Sequence, residues 1–441
     1  MNLDLELLHQ LAEEDPELAK EMVKKYRKAM IVLARNDPSW FCQYVLKNRD
    51  GGMIRQQPHH HAMHRLILEN QRSLIWTFPE AGKLVPLNEL LATPTGWVRM
   101  GDVEVGDTLY ARNGKTTRVT GVSAVDPAPK SYLLTLDDGV VLKAGAEHQW
   151  LVHHTLDRHK HPRPLRVATT EEIAHSVDYG DRKTWAIPLV APLEFPEAQL
   201  PIHPYTLGVW LGDGNKTGAT ITHHIDDSAI IERCCHLDGI TAVSRLDRGR
   251  AHILRTALGD KAYRQRYARL GLLCRIPGKS NKHIPDVYKR ASVEQRFELL
   301  AGLLDTDGCA LKKPGAIELC FCNERLATDA IELIRSLGFK ARIKSSDAKI
   351  SGVVKGTRYR ITFTAHVPVF RLQRKLDRQM AEQSTVGSKC QMRYIVSAEL
   401  VDSEPMRCIS VDSEDHSYVY GKHHTVTHNS SQIAIGHVLW R

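Results

Sequence analysis

Apolar residues recur at helical spacing where the chain begins. Leu5, Leu8 and Leu11, followed by Met22, Tyr26, Met30 and Leu33, predict helices over residues 1–47, with Asp15-Pro16 opening the second. Asn48-Arg49-Asp50-Gly51-Gly52 reads as a loop, a helix is expected around His61–Asn70, and Ser73-Leu74-Ile75-Trp76-Thr77-Phe78 reads as a strand. At Leu84 the pattern changes. Short β-like pieces alternate with Gly and Asp turns: Gly96–Asp102, Val105–Tyr110 and Arg118–Val122. Such tight strand–turn spacing predicts an all-β unit. From about Pro201 to Arg374 strands and helices mix, and β character returns at Tyr394–Val426. A mixed α and β unit therefore sits inside a β unit, which itself interrupts a helical fragment.

That interruption splits a motif. Thr77-Phe78-Pro79-Glu80-Ala81-Gly82-Lys83 ends on Gly-Lys, and Ser430-Ser431-Gln432-Ile433-Ala434-Ile435 resumes with a hydroxyl and a helix-like run. Joined, they form a phosphate-binding loop: strand, tight turn, Lys for the phosphates and hydroxyl for the metal. Residues 84–429 separate the Lys from the Ser.

Composition adds modest constraints. A chain of 441 residues is expected to hold two to four domains. A net charge of +9 favours an anionic partner, nucleic acid first. Nine cysteines without a CxxC pair argue against a disulfide framework and a structural zinc site, and fit a reducing cytosol. No run approaches membrane-spanning length, and Met1-Asn2-Leu3-Asp4-Leu5-Glu6 lacks the features of a signal peptide.

Residues 84–429 resemble an intein carrying a homing endonuclease of the LAGLIDADG family. Leu84-Val85-Pro86-Leu87, Thr93-Pro94-Thr95-Gly96-Trp97 and Val105-Gly106-Asp107 match the first intein block. Gly145-Ala146-Glu147-His148-Gln149-Trp150 occupies the second, with Gly145 where the family usually has Thr. Arg407-Cys408-Ile409-Ser410-Val411 and Val426-Thr427-His428-Asn429-Ser430 match the last blocks. Most inteins begin with Cys or Ser, and Leu84 has no nucleophile. A minority, class 3, instead carries a Trp, Cys and Thr set, matched here by Trp150, Cys408 and Thr427. The resemblance implies that Cys408 attacks the Lys83 carbonyl, with His148 donating to the departing Leu84 nitrogen. Ser430 then takes over the acyl group, Asn429 cyclises with help from His428, and Lys83 joins Ser430. No cofactor is expected for splicing.

Two further segments resemble the LAGLIDADG motif itself: Leu207-Gly208-Val209-Trp210-Leu211-Gly212-Asp213-Gly214 and Leu300-Ala301-Gly302-Leu303-Leu304-Asp305-Thr306-Asp307-Gly308. The family implies that the two motif helices pack through small residues. Asp213 and Asp307 would then hold Mg2+ at the scissile phosphates of double-stranded DNA, with Lys282 assisting. Arg245, Arg248, Arg250, Arg255, Lys340, Arg342 and Lys344 are candidates for phosphate contacts.

The joined flanks resemble the start of a phage terminase large subunit, the ATPase of the packaging machinery. Gly82, Lys83 and Ser430 would bind ATP and Mg2+ only after splicing, and the fragment alone is not expected to hydrolyse ATP. His59-His60-His61 with His64 reads as a helix start rather than a metal site. The expected architecture is multidomain: an all-β HINT (intein) splicing domain with an inserted α+β LAGLIDADG endonuclease, flanked by an α-helical and P-loop extein fragment. Expected boundaries are 1–83, 84–200, 201–392, 393–429 and 430–441, in a phage-encoded protein of the bacterial cytoplasm with no membrane partner. Two alternatives stand: a splicing-inactive chain that retains only DNA binding or cleavage, motivated by Leu84, and a packaging ATPase in its own right.

Overall fold

The computed structural model describes residues 83–429 apart from 161, 248–249, 277–278, 314, 351 and 381–390, together with isolated helical positions at Leu18, Lys24, Lys25, Lys28 and Ile31. The other expected leader positions, the His61–Asn70 helix, the histidines at 59–61 and 64, Gly82 and Ser430 lie outside the described residues. The chain divides into two units, residues 82–429 on one hand and 1–81 with 430–441 on the other.

Residues 82–429 contain two hydrophobic cores. The first draws on both ends of the unit, from Val85, Leu91 and Trp150 to Val411, Tyr420 and Val426. The second lies wholly between Ile202 and Leu372. The first is built from antiparallel sheets. A six-stranded sheet runs in the order Val141–Gly145, Ser131–Leu136, Met392–Val401, Trp185–Pro188, Gln149–His154, Arg166–Thr169. A four-stranded sheet pairs Thr425–His428, Ser417–Tyr420, Leu90–Thr93 and Gly96–Arg99. Thr116–Val122 buries Thr117, Val119 and Gly121 while exposing Thr116, Arg118 and Thr120, as a half-buried strand must. One local expectation changes: Met100–Asp102 is a 3-10 turn rather than strand.

The second core is built around two helices, α1 (Pro204–Asp213) and α2 (Val293–Asp307). Ser292 and Gln295 form a capping box that starts α2. The helices touch at Gly208 and Gly302. A Cβ on Gly302 would overlap the Tyr205 carbonyl oxygen and lie 3.0 Å from the Gly208 Cα. Glycine at this crossing is thus a packing requirement. Each helix leads into its own sheet, three-stranded after α1 and four-stranded after α2.

A polar seam joins the two cores. Arg393 and Asp138, both nearly fully buried, pair at 3.1 Å, and Arg335 approaches the same carboxylate at 3.9 Å. Lys340 pairs with Asp137 at 2.5 Å and donates to the Met392 carbonyl at 2.9 Å. This corrects the expectation for Lys340. It precedes the strand Ala341–Ile350 and is committed to the seam, while Arg342 and Lys344 are exposed on that strand.

Candidate functional site

The first residues of the insert are held beside its last ones. Strand Val85–Pro86 pairs antiparallel with Met406–Arg407, Val85 facing Arg407. Continued by one residue, this register sets Leu84 opposite Cys408, next to the Lys83–Leu84 bond. Leu84 is anchored from the other side, where its carbonyl accepts from the Gly145 N–H at 2.9 Å. A Cβ at Gly145 would meet the Leu84 Cβ at 3.2 Å, so the departure from Thr in this block leaves room for Leu84.

Cys408 is 1% exposed. Its N–H donates to Ser123 Oγ at 2.9 Å and its Sγ lies 3.5 Å from the Ile409 carbonyl oxygen. The Asn429 side-chain amide donates to that same carbonyl at 3.0 Å, so Cys408 and Asn429 converge on one acceptor. Asn429 Oδ1 is buried without a hydrogen-bond partner among the described residues. The Asn429 N–H donates to the His416 carbonyl at 2.7 Å. His416 has φ of 50°, a left-handed turn that an ordinary side chain adopts only when its surroundings hold it there. Its ring meets that of His428 edge-on at 6.3 Å.

His148 is completely buried, and its Nε2 lies 2.5 Å from Thr427 Oγ1. Trp150 packs edge-on against it at 4.7 Å, and the indole N–H donates to Thr170 Oγ1 at 3.0 Å. The Thr170 hydroxyl in turn donates to the His148 carbonyl at 3.1 Å. Trp150 therefore fixes the histidine by packing and through Thr170, a residue with no signal in the sequence blocks. Burial pushes the His148 imidazole down to about 3, offset in part by the Lys83 backbone carbonyl within reach of the ring. His428 is likewise held at about 3, by burial and then by the charge of Lys83. Lys83, 5% exposed, thus acts on both imidazoles. Both are neutral near pH 7 and can accept a proton or pass one on.

A second site lies where α1 and α2 end. Asp213 and Asp307 occupy the last helical positions; burial raises both, and lifts Asp307 to about 6 with Asp213 as the next cause. Two carboxylates pressed together in this way suit a divalent cation, which would relieve their repulsion. Among the described residues no group of three or more His, Cys, Asp or Glu could hold a metal, so phosphate oxygens and water would have to complete its shell. Lys282 Nζ donates to the Gly212 carbonyl at 2.8 Å, and burial lowers its pKa to about 8 against the pull of Asp307 and Asp213.

Lys375 was not among the expected residues. Its Nζ donates to the Leu304, Asp305 and Gly308 carbonyls at 2.7–2.9 Å, closing the end of α2 as Lys282 closes the end of α1. The signal was present, since Lys375 follows Asp307 at nearly the spacing by which Lys282 follows Asp213. Of the candidate phosphate contacts, Arg245 and Arg255 stand directly opposite each other on neighbouring strands, both exposed. Like charges so placed favour an anionic partner. Arg248 and the Arg250 side chain lie outside the described residues.

Residues 283–377 match the family described as Homing endonuclease. That stretch contains α2, Asp307 and Lys375; α1 and Asp213 precede it. The chain is 34% identical over 373 residues to a replicative DNA helicase DnaB from Mycobacterium intracellulare, a match covering 80% of this chain and 59% of the relative. The chain therefore spans somewhat over half the length of that protein. Among solved structures it is similar to the MchDnaB-1 intein, at 16% identity and TM-score 0.25, covering 78% of this chain and 99% of that one. It is also similar to a mesophilic variant of the homing endonuclease I-DmoI, at 14% identity and TM-score 0.26, covering 41% and 94%. Both overlays are loose. The family match lies within the core built on α1 and α2, over residues 283–377.

Proposed function

We propose that residues 84–429 excise themselves and join Lys83 to Ser430, and that the domain built on α1 and α2 is a site-specific endonuclease for double-stranded DNA. The observation that carries the splicing reading is the meeting of Cys408 and Asn429 on the Ile409 carbonyl, with the β register setting Cys408 across from Leu84.

The chemistry then runs through neutral histidines. The Cys408 sulfur adds to the Lys83 carbonyl carbon. Its proton passes to the Leu84 nitrogen by way of His148, and the Lys83–Leu84 bond breaks to leave a thioester. Thr427 holds the imidazole and Trp150 backs it. The Ser430 oxygen attacks the thioester and returns the proton to Cys408, leaving an ester. The Asn429 side-chain nitrogen closes on its own backbone carbonyl, its proton passing by way of His428 to the departing Ser430 nitrogen, so that a succinimide forms and a neutral amine is released. That amine displaces the ester oxygen, and a peptide bond joins Lys83 to Ser430. Positioning would supply much of the acceleration in each of these intramolecular steps. In the endonuclease, Mg2+ on Asp213 and Asp307 would supply Lewis-acid chemistry at phosphate. Lys282 and Lys375 fix the two helix ends and bring positive charge to that site.

The host protein is a separate question. A match over 80% of the chain must run through the insert, because residues 1–83 and 430–441 are too few to supply it. It therefore leaves the flanks open. We read them as a nucleotide-binding fragment split within its P-loop. Its leader resembles a phage terminase, and a replicative helicase is the second reading, favoured by the similarity to DnaB. ATP and Mg2+ would engage only after ligation.

Intact mass of the freshly expressed chain, beside Cys408→Ala and Asp307→Asn, tests the proposal. The expected result is excised insert plus ligated flanks, with ligation lost in Cys408→Ala and kept in Asp307→Asn, while Asp307→Asn no longer cuts the uninterrupted coding sequence. Unchanged ligation in Cys408→Ala would remove Cys408 from the reaction. A single uncut chain in every sample would favour the splicing-inactive alternative.

A further inference from the structure

The carbonyls that end α2 converge on one side chain. Those of Leu304, Asp305 and Thr306, with that of Gly308 just beyond, all accept from the Lys375 ammonium at 2.7–3.2 Å. A helix leaves its last carbonyls without partners of its own, and here the three N–H donors of one Lys are shared among four acceptors. Lys375 lies in the first turn of a further helix, α3 (Gln373–Met380). The amides that open α3 are served in return from α2. The N–H groups of Arg371 and Leu372 both donate to the Asp305 carboxylate at 3.0–3.3 Å. Each helix therefore caps the other: α2 supplies an anion at the start of α3, and α3 supplies a cation at the end of α2.

A third contact ties α1 to this clamp. The Tyr205 hydroxyl, from the first turn of α1, donates to Asp305 Oδ2 at 2.7 Å. Asp305 is 2% exposed, so its carboxylate is taken up by these donors rather than turned to solvent. Asp307 follows two residues later. Its Oδ2 lies 3.3 Å from where a Cβ on Gly212 would stand, which sets the Asp307 carboxyl directly against the end of α1. The first motif is built differently. Two residues before Asp213 stands Leu211, an apolar side chain in the core. Lys282 donates to one carbonyl, that of Gly212, among the described residues. The α2 half of the carboxylate pair is therefore held by a reciprocal cap that the α1 half does without.

Resting on the endonuclease reading, we infer that Asp305 is a positioning residue for DNA cleavage: through α3 and Lys375 it fixes the last turn of α2 and so sets the Asp307 carboxyl against Asp213 for a shared divalent cation. Asp305 touches neither metal nor phosphate in this role, because Tyr205, Arg371 and Leu372 already occupy its oxygens. Partners that orient a metal-binding carboxylate from behind contribute to metal affinity and rate without ligating. α3 thereby belongs to the cleavage machinery.

The test uses the full chain with Asp305→Asn, Lys375→Met and both together, and a duplex spanning the uninterrupted coding sequence across the Lys83–Ser430 junction. Asp305→Asn keeps the size of the side chain and removes its charge. Each single variant should cut more slowly at saturating duplex, by roughly 10–100-fold, and should need more Mg2+ to reach half its maximal rate. Duplex affinity measured without metal should stay at the parent's value and report that the domain is folded. Hydrogen exchange should quicken at the Arg371 and Leu372 amides in Asp305→Asn, while the crossing of α1 and α2 keeps its protection. The double variant should be no slower than the slower single one, because both substitutions open the same clamp. A cutting rate and Mg2+ requirement equal to the parent's in Asp305→Asn would overturn the inference while leaving the endonuclease standing. Losses that multiply in the double variant would do the same, since Asp305 and Lys375 would then act apart. Duplex affinity lost in step with the rate would also overturn it, reducing Asp305 to a packing role. A parent that does not cut the duplex would overturn the endonuclease reading and this inference together.

Discussion

The two sites of residues 82–429 bury different kinds of titratable group. In the β domain, burial strips protons from imidazoles: His148, His424 and His428 are all held near 3, and nearby buried cations reinforce the effect. In the domain built on α1 and α2, burial raises carboxyls, with Asp213 and Asp305 raised and Asp307 lifted to about 6. The difference tracks what each site requires. Neutral imidazoles in a closed site can move protons between groups the chain already supplies. Two carboxyls crowded at the ends of crossing helices are electrostatically incomplete and suit an arriving cation. One site is self-contained; the other is poised for something from outside.

The sharpest way to break this comparison is to destroy one core and ask whether the other survives. In Gly302→Val a side chain must enter where α1 and α2 meet backbone to backbone, overlapping the Tyr205 carbonyl. No rotamer relieves that overlap, so the cost should exceed about 4 kcal/mol and abolish the helix pair. DNA cleavage should vanish. Ligation should continue, because the β core from Val85 to Val426 includes no residue of either helix. Loss of ligated product in this variant would mean that the seam at Asp138, Arg393 and Arg335 couples the two cores into one folding unit.

Acid should act most strongly on the β domain, where three histidines are held near 3, although His203 and Glu298 of the other domain are also lowered. A histidine whose pKa is about 3 when folded and 6.5 when unfolded binds more protons in the unfolded chain at intermediate pH. Stability is then intact above pH 6.5 and is lost as pH falls below it. Three such residues together give a slope of up to about 4 kcal/mol per pH unit. The raised carboxyls of the endonuclease shift the other way, gaining protons on folding. Hydrogen exchange at pH 7 and pH 5.5 should show the strands Gln149–His154 and Thr425–His428 losing protection while α2 keeps it. Equal loss in both domains would contradict the assignment of neutral, buried imidazoles.

Much of this arrangement was legible in the sequence, and the exceptions have physical reasons. The change of period at Leu84 and the return of strands near Tyr394 are visible because a half-buried strand such as Thr116–Val122 must alternate. The crossing helices are visible because close backbone approach demands Gly208 and Gly302. Cys408, Thr427, His428 and Asn429 lie within two short blocks, and the structure brings Thr427 to His148 and sets Cys408 and Asn429 on one carbonyl. Thr170 carries no such signal, because it acts through a hydroxyl and a carbonyl distant in sequence, whereas Lys375 is marked only by its spacing from Asp307. Lys340 was misplaced for the opposite reason. It alternates with Arg342 and Lys344, yet it sits one residue before the strand starts, where the chain is still inside the seam with Asp137. The Met100–Asp102 turn was read as strand because Met100 supplies the expected buried apolar position.

The smallest predicted effect bears on the finest feature of the comparison, how a neutral imidazole is aimed. Thr427 is fully buried, and its hydroxyl bridges His148 Nε2 at 2.5 Å and the Gln149 carbonyl at 3.4 Å. Thr427→Val keeps the shape and removes the oxygen, leaving the imidazole packed against Trp150 but without its polar anchor. One neutral hydrogen bond of this kind contributes about 1–1.5 kcal/mol. If it acts mainly on the orientation needed for proton transfer, cleavage at Lys83–Leu84 should slow by roughly tenfold. Thr427→Ser, which restores the hydroxyl, should recover most of the rate. The thermal midpoint should move little in Ser and modestly in Val, separating orientation from folding. A Val variant that cleaves within twofold of the parent would mean that Trp150 and Thr170 suffice to aim His148. A Ser variant as slow as Val would instead locate the role of Thr427 in its methyl group, and therefore in packing.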